Sequence, residues 1–301
     1  MYLHNDKDLF EEVINEANTQ TGISQSIIEK DYYVTMILKL LVKKNHHDIV
    51  ILGGTSLSKC YHLINRFSED IDIAFFGYTS EVQKKGFKYD IIKSLSENLS
   101  MPIMNWNITE SEKDYLYYLL GYHPISDYPI DGVTPNVKLK TTLVSNPFLT
   151  EEKEVESIIY SAINDSAPDI VSGYGLEPFP MHVQSVNRTF IDKIYALCDY
   201  YIEGKAKRYS RHLYDICKIY PAVCMDASFM ELAKEVRNHR SQLSNCLSAK
   251  DNIDIKAKII DFLDTEFYKS DYDTVTKALI SDNLSYEQAS ITMREIANKM
   301  F

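Results

Sequence analysis

The sequence contains few of the residues that interrupt a chain. Only 10 glycines and 9 prolines occur among 301 residues, and there is a single tryptophan. With 45% apolar and 25% charged residues, the composition is globular and excludes a low-complexity chain. The length is enough for one large domain or two ordinary domains.

An excess of positive charge is also lacking. Lysine and arginine total 32 against 43 aspartates and glutamates, which gives a net charge of −11 at pH 7. Proteins that coat nucleic acid by bulk attraction are usually basic, so this balance argues against that class. A local basic groove is still compatible with it.

Long apolar runs and paired cysteines are absent as well. No run is long enough to span a membrane, and residues 1–6 lack the charged-then-apolar pattern of a secretory signal. The five cysteines are odd in number and include no Cys-x-x-Cys pair, which favours reduced thiols. We therefore expect a cytoplasmic protein with no membrane partner.

The rest of the prediction depends on a turn that follows a buried strand. The short β-branched run at 48–52 predicts that strand, and the glycine pair after it allows backbone N–H groups to approach a ligand. Either Thr55 or Ser56 would cap a helix that we expect to end near Ile64. Because a helix N-terminus favours a phosphate, we predict a nucleotide-binding turn. Its residues are Gly53, Gly54, Thr55 and Ser56.

Two aspartates open the next predicted strand, which runs from Asp70 to Phe76. Because side chains alternate along a strand, Asp70 and Asp72 point to the same face. Two carboxylates about 7 Å apart can share a pair of divalent cations. A phosphate-binding turn followed by such a pair is the arrangement for nucleotidyl transfer. The competing interpretation is a pair of solvated carboxylates.

Three motif blocks resemble one known family. Gly-Gly-Thr-Ser-Leu-Ser-Lys followed by Arg-Phe-Ser-Glu-Asp-Ile-Asp is similar to the AbiEii/AbiGii-type toxin nucleotidyltransferases of the DNA polymerase β-like superfamily. Thr189-x-x-x-Lys193 and Arg211-His212-x-x-Asp215 match two further motifs. The resemblance implies an α+β fold: a mixed nucleotidyltransferase β-sheet with flanking helices, followed by a C-terminal helical domain.

The same resemblance implies the chemistry and the partners. It implies transfer from an NTP with two Mg²⁺ ions held by Asp70 and Asp72. Lys193 would serve the nucleotide phosphates, and Asp215 would act as a base or orient Lys193 through an ion pair. A helix salt bridge between Arg211 and Asp215 is the competing interpretation. The protein would be the toxin of a toxin–antitoxin or phage-defence system, with a cognate antitoxin and with tRNA acceptor ends as its target.

Three more side chains near the turn are predicted to bind nucleotide. Lys59 lies one turn into the predicted helix and reaches a phosphate, unless it is solvated. Arg66 pairs with a phosphate or holds Glu69 or Asp70, because its fork fits either partner. Ser68 contributes to the same site or only caps the turn.

Lysine occupies a position where the superfamily often places a third carboxylate. Alternating residues predict a strand over Asn136–Val144, and Lys140 falls at that position. Either the third acid lies elsewhere, or Lys138 and Lys140 contact phosphate or RNA. Two earlier strands are predicted at Pro102–Ile108 and Tyr115–Tyr122.

We predict two domains joined by the turn-rich residues 146–187. Residues 1–180 would form the nucleotidyltransferase sheet domain with its N-terminal helices. Residues 181–301 would form a helical domain that contributes Lys193 and Asp215 to the cleft. The basic run Gly204–Arg211 lies beside several tyrosines and would hold single-stranded RNA, or would form a solvated loop.

Two other functions stay open. The acceptor would be a protein hydroxyl instead of tRNA, or the chain would be a nucleotide-binding module that has lost catalysis. The lysine at the third-acid position favours the second of these.

Overall fold

The computed structural model describes residues 1–45, 49–76, 80–108, 115–125, 133–142 and 149–301. They divide into two compact units. Unit 1 comprises Met1–Tyr61 and Ser68–Gln184, and unit 2 comprises His62–Phe67 and Ser185–Phe301. The short segment between the turn and the two aspartates therefore belongs to unit 2.

In its described residues, unit 1 contains one six-stranded mixed sheet. The strands are β1 (Ile49–Leu52), β2 (Asp70–Phe75), β3 (Tyr115–Gly121), β4 (Asn136–Thr142), β5 (Thr150–Val155) and β6 (Phe179–Gln184). Their order is β3-β4-β2-β1-β6-β5. β1 is antiparallel to β2, whereas β2–β4 and β1–β6 are parallel. The two central strands are thus paired on both sides.

Hydrophobic patterning explains the strands. The β-branched residues Ile49, Val50 and Ile51 make β1 almost wholly buried, as a central strand requires. β4 alternates between buried and half-buried side chains, so its predicted alternation is confirmed. Residues 48, 143 and 144 of the predicted strands lie outside the described residues.

Seven helices of the described chain accompany the sheet in unit 1. They are α1 (Lys7–Thr21), α2 (Gln25–Asn45), α3 (Gly53–Lys59), α4 (Glu81–Gly86), α5 (Lys93–Leu99), α6 (Ile158–Ile163) and α7 (Pro168–Tyr174), with a π-helical stretch (Phe87–Ile92) between α4 and α5. The side chains of α2 that join the hydrophobic core include Tyr32, Ile37 and Leu41, which are fully buried. The core also includes Ile51 and Ile73 of the central strands.

Two local predictions are wrong. Pro102–Ile108 is not a strand: Ile103 forms an isolated bridge to Leu120, and Trp106–Ile108 form a 3₁₀ turn. In its described part, the segment 146–187 is not mainly turns, since it contains β5, α6, α7 and β6. Pro168 begins α7 and Gly175, at a φ of 62°, ends it, so these residues bound a helix rather than mark a loop.

Unit 2 is helical. Its described α-helices are α8 (Val186–Ile202), α9 (Arg211–Ile219), α10 (Ala227–Ser241), α11 (Ile255–Asp264), α12 (Lys269–Asp271), α13 (Lys277–Leu279) and α14 (Tyr286–Met300). The Ser185 side chain caps α8 by accepting a hydrogen bond from the Arg188 backbone N–H. α8 packs against α9, α10 and α11, and α14 packs against α9 and α11.

A mixed sheet with flanking helices, followed by a helical unit, confirms the predicted α+β class. None of the described helices has the length and apolar character needed to cross a lipid bilayer.

Candidate active site

The predicted turn follows β1 directly. α3 begins at Gly53, whose φ of 69° is left-handed and favours glycine. Leu52 is the register partner of Asp72 on the neighbouring strand. A Cβ atom at Gly53 would therefore lie 3.2 Å from Asp72 Oδ2, closer than ordinary contact. The turn and the Asp72 carboxylate are therefore immediate neighbours.

The side-chain hydroxyl groups of the turn form hydrogen bonds within the protein. Thr55 Oγ1 donates to the Asp70 carbonyl and lies 3.1 Å from Ser68 Oγ, and Ser56 Oγ donates to the Gly53 carbonyl at 2.9 Å. Thr55 and Ser56 are buried and lie inside α3. The prediction that one of them caps this helix is therefore wrong. Nucleotide binding here would use backbone N–H groups.

The predicted end of α3 is also wrong. The helix ends at Lys59 instead of near Ile64. Ile64 is 5% exposed, and its segment belongs to unit 2. Burial of the Ile64 side chain therefore does not require the helix to extend that far.

Both aspartates lie on β2 with a lysine beside them. Asp70 and Asp72 are half-buried, and the parallel pairing of β2 with β4 places Lys140 opposite Asp72. Lys140 Nζ lies 2.6 Å from Asp70 Oδ2 and 3.7 Å from Asp72 Oδ1. The lysine at the third-acid position thus forms ion pairs with the carboxylates.

These carboxylate oxygens are suitable ligands for a hard divalent ion such as Mg²⁺, which prefers one or two carboxylates plus phosphate oxygens. Two observations limit that fit. Within the described ranges, no group of three or more His, Cys, Asp or Glu side chains is placed to hold a metal. A cationic side chain, Lys140, already contacts both acids. The residues therefore fit one ion better than two.

Lys59 lies away from solvent. It is 5% exposed, and its ammonium group is 2.5 Å from Asp31 Oδ1 and 2.8 Å from Thr35 Oγ1. Asp31 also accepts a hydrogen bond from the Ile158 backbone N–H at 2.9 Å. These contacts make Lys59 a support that fastens α3 to α2 and α6.

Two residues beside Asp31 on α2 form further buried contacts that the sequence analysis did not predict. Lys30 is 2% exposed and lies 3.2 Å from Glu69 Oε2, next to Asp70 in the chain. Glu29 accepts a hydrogen bond from the Ile125 backbone N–H. Helical periodicity alone did not separate a solvated face from this buried one.

A second charged cluster lies within unit 2. Asp215 is completely buried and accepts two hydrogen bonds from Arg66, at 2.6 Å from Nε and 2.7 Å from Nη2. Lys193 Nζ lies 2.6 Å from Asp215 Oδ2. The sequence offered phosphate, Glu69 or Asp70 as partners of Arg66. In the structure, the guanidinium group of Arg66 binds the Asp215 carboxylate.

The charges of this cluster determine its protonation. Burial would raise the pKa of Asp215, but the adjacent Arg66 and Lys193 charges outweigh it and hold that pKa well below the ordinary value. Burial lowers the pKa of Lys193, which Asp215 partly offsets. A carboxylate with so low a pKa is a poor base. Of the two roles considered for Asp215, the geometry favours orientation of Lys193.

The basic run of unit 2 is anchored at its end. The Asp271 carboxylate accepts hydrogen bonds from the backbone N–H groups of Arg208 and Ser210, at 2.8 and 3.2 Å. Lys207 and Arg208 are exposed. Tyr200 and Tyr209 stack on each other with ring centroids 3.6 Å apart. Two of the tyrosines beside the basic run, which we predicted to help hold RNA, therefore already stack on each other.

Comparison with known proteins decides the family. The profile described as "Nucleotidyl transferase AbiEii toxin, Type IV TA system" matches residues 39–301. The chain belongs to the AbiEii nucleotidyltransferase toxin family. It is thus a nucleotidyltransferase and the toxin of a type IV toxin–antitoxin system, which implies an NTP substrate, a divalent metal and an antitoxin partner.

Solved structures agree at the level of the fold. MenT4, a nucleotidyltransferase toxin from Mycobacterium tuberculosis H37Rv, is similar with a TM-score of 0.54 and 12% sequence identity. The match covers 97% of this chain and 89% of that one, so the nucleotidyltransferase fold is confirmed. No curated protein matches the chain.

The close approach at Gly53 gives a first prediction. Gly53→Ala should lose about 1–2 kcal/mol of unfolding free energy from its left-handed backbone and lower transfer activity about tenfold or more by displacing Asp72. Gly22→Ala is the matched control, since Gly22 also has a φ of 69° but nothing within 4 Å of the added Cβ. Urea unfolding and transfer assays measure both effects. Equal activity in the two variants would contradict the crowding of Asp72.

The buried cluster gives a second prediction. Asp215→Ala should reduce the free energy of unfolding by about 3–5 kcal/mol, because it leaves Arg66 and Lys193 buried without their carboxylate. Asp264→Ala is the control: Asp264 also pairs with an arginine at 2.6 Å, but its side chain is 60% exposed, so its loss should matter little. Denaturant titration compares them. Similar small losses would contradict the expected cost of leaving Arg66 and Lys193 buried without their carboxylate.

Proposed function

We propose that this nucleotidyltransferase uses Mg²⁺ and an NTP to modify the acceptor end of tRNA. The observation that carries the proposal is the placement of Asp70 and Asp72 on one face of β2, with Asp72 directly against the Gly53 turn. Phosphates at the turn would lie beside the metal-binding carboxylates. As a toxin, it would act in the cytoplasm and be restrained by its antitoxin.

The reaction joins an acceptor hydroxyl to the α-phosphorus of the NTP. A P–O bond forms there, the bond to pyrophosphate breaks, and the hydroxyl proton passes to solvent or to a nearby base. Asp70 and Asp72 would hold Mg²⁺, which supplies charge neutralisation of the triphosphate and a lower pKa of the attacking hydroxyl.

The remaining residues have supporting or binding roles in this proposal. Backbone groups of Gly53, Gly54, Thr55 and Ser56 receive phosphate oxygens, and Ser68 holds Thr55 in place. Lys193 serves the nucleotide phosphates, as the family motif implies. Arg66 and Asp215 keep Lys193 oriented.

Transfer to a protein hydroxyl is the second candidate. The net charge of −11 opposes the approach of tRNA, and the stacked tyrosines at the basic run are already in contact with each other. These two observations are the support for a protein acceptor as the alternative to tRNA. A module without catalysis is the third candidate, and the ion pairs of Lys140 with the acids are its support.

The carboxylate pair gives the third prediction. Asp70→Asn and Asp72→Asn should each abolish nucleotidyl transfer, since the amide loses the charge that holds the metal, and both should leave the fold intact. Asp251→Asn, at an exposed position, is the control and should stay active. Labelled NTPs with Mg²⁺ and either total tRNA or total cell protein identify the acceptor. Full activity in either single variant would remove the pair from the site.

The basic run gives the fourth prediction. Reversing Lys205, Lys207 and Arg208 to Glu should weaken use of tRNA and flatten the slope of log affinity against log salt by about one for each phosphate group that the variant no longer binds. Binding of NTP should barely change. Reversal of the exposed Lys234, Lys277 and Lys299 is charge-matched and serves as the control.

A salt series of transfer rates distinguishes the outcomes of that experiment. Slopes and rates that match those of the charge-matched control would remove the basic run from the acceptor site. Lys138 and Lys140, or a protein acceptor, would then be favoured.

A further inference from the structure

Lys140 has an unusual place for a cation in a metal-binding face. Its Nζ lies within ion-pair distance of Asp70 and Asp72, at 2.6 and 3.7 Å. Strand register fixes this contact, because side chains of paired residues on β2 and β4 leave the sheet on one face. The side chains of Lys140, Asp70 and Asp72 are 34%, 25% and 39% exposed, so ions in solution reach them.

Charge limits how many metal ions this face can hold. The two carboxylates carry two negative charges, and the ammonium group of Lys140 offsets one of them. Two divalent ions would add four positive charges at separations where like charges repel strongly. In the part of the chain that is described, no third acidic or histidine side chain joins the pair to offset that repulsion.

Lys138 provides an internal comparison. It lies on the same face of β4, two residues before Lys140, and is the register partner of Asp70. Its Nζ lies 4.5 Å from the centre of the Tyr117 ring. Two lysines with the same charge on one strand face therefore have different partners, an aromatic ring in one case and carboxylates in the other.

We propose that Lys140 is a tethered cation of the active site. Its ammonium group takes the charge-neutralising place of a second metal ion, so that Asp70 and Asp72 bind one divalent ion and bind it weakly. The inference rests on the proposed function, because it concerns the same carboxylates. It replaces the two-ion expectation with a one-ion site.

The test counts bound Mn²⁺ by the electron paramagnetic resonance signal of the free ion, with full-length protein and no nucleotide. The wild type should bind one ion. Lys140→Met should bind one ion roughly tenfold more tightly, because a positive charge beside the metal is gone. Lys138→Met, with the same loss of charge, should stay close to the wild type. Lys140→Glu restores an acid at that position and should bind two ions.

Each outcome has a defined meaning once circular dichroism has shown that every variant is folded. Two ions in the wild type, or equal tightening by Lys138→Met and Lys140→Met, overturns the tethered cation. Binding that is lost in Asp72→Asn but unaffected by changes at Lys140 refutes this inference and leaves the proposed metal ligands standing. Absence of binding in every variant overturns the one-ion site of the free protein, and binding that persists in Asp72→Asn removes the metal ligands of the proposed function as well.

Discussion

The pairing of β1 with β2 is the constraint on which the candidate site depends. It sets Leu52 opposite Asp72, and the chain turns at the next residue, Gly53. The side chain that glycine lacks would lie 3.2 Å from the Asp72 carboxylate. The turn and the Asp72 carboxylate, to which we assign phosphate binding and metal binding, are therefore fixed relative to each other by the backbone hydrogen bonds of this strand pair.

Each unit also contains a buried ion pair that holds a predicted site residue in position. Lys59 binds Asp31 beneath the turn, and Lys193 binds Asp215 in the helical unit. A charge taken out of water costs several kcal/mol unless a partner compensates it, so such pairs add little net stability, yet the loss of one partner is expensive. Their effect is to restrict geometry. A carboxylate held between two cations, as Asp215 is, has one orientation and one protonation state.

The features of the fold and of the candidate site that depend on local sequence could be predicted, and those that depend on distant contacts could not. Alternation along a strand was enough to place Asp70 and Asp72 on one face, and the three motif blocks were enough for the family and fold class. The partner of Arg66 was not predictable, because a guanidinium fork fits any carboxylate or phosphate and Asp215 lies 149 positions away. The burial of Lys59 depends on its contact with α2, which helical periodicity does not reveal. The end of α3 was missed as well, because a buried residue such as Ile64 need not lie in a helix.

A lysine at the position of the third acid suggests lost catalysis only if the charge of that one residue matters more than the net charge of the whole site. Three carboxylates with two divalent ions carry three negative and four positive charges, a net charge of one positive. Asp70 and Asp72 with Lys140 and one divalent ion carry two negative and three positive charges, which is the same net charge. A triphosphate would meet an equally attractive field in either arrangement. With the proposed single ion, Lys140 would change the number of metal ions that the site needs and would leave intact its ability to stabilise a charged transition state.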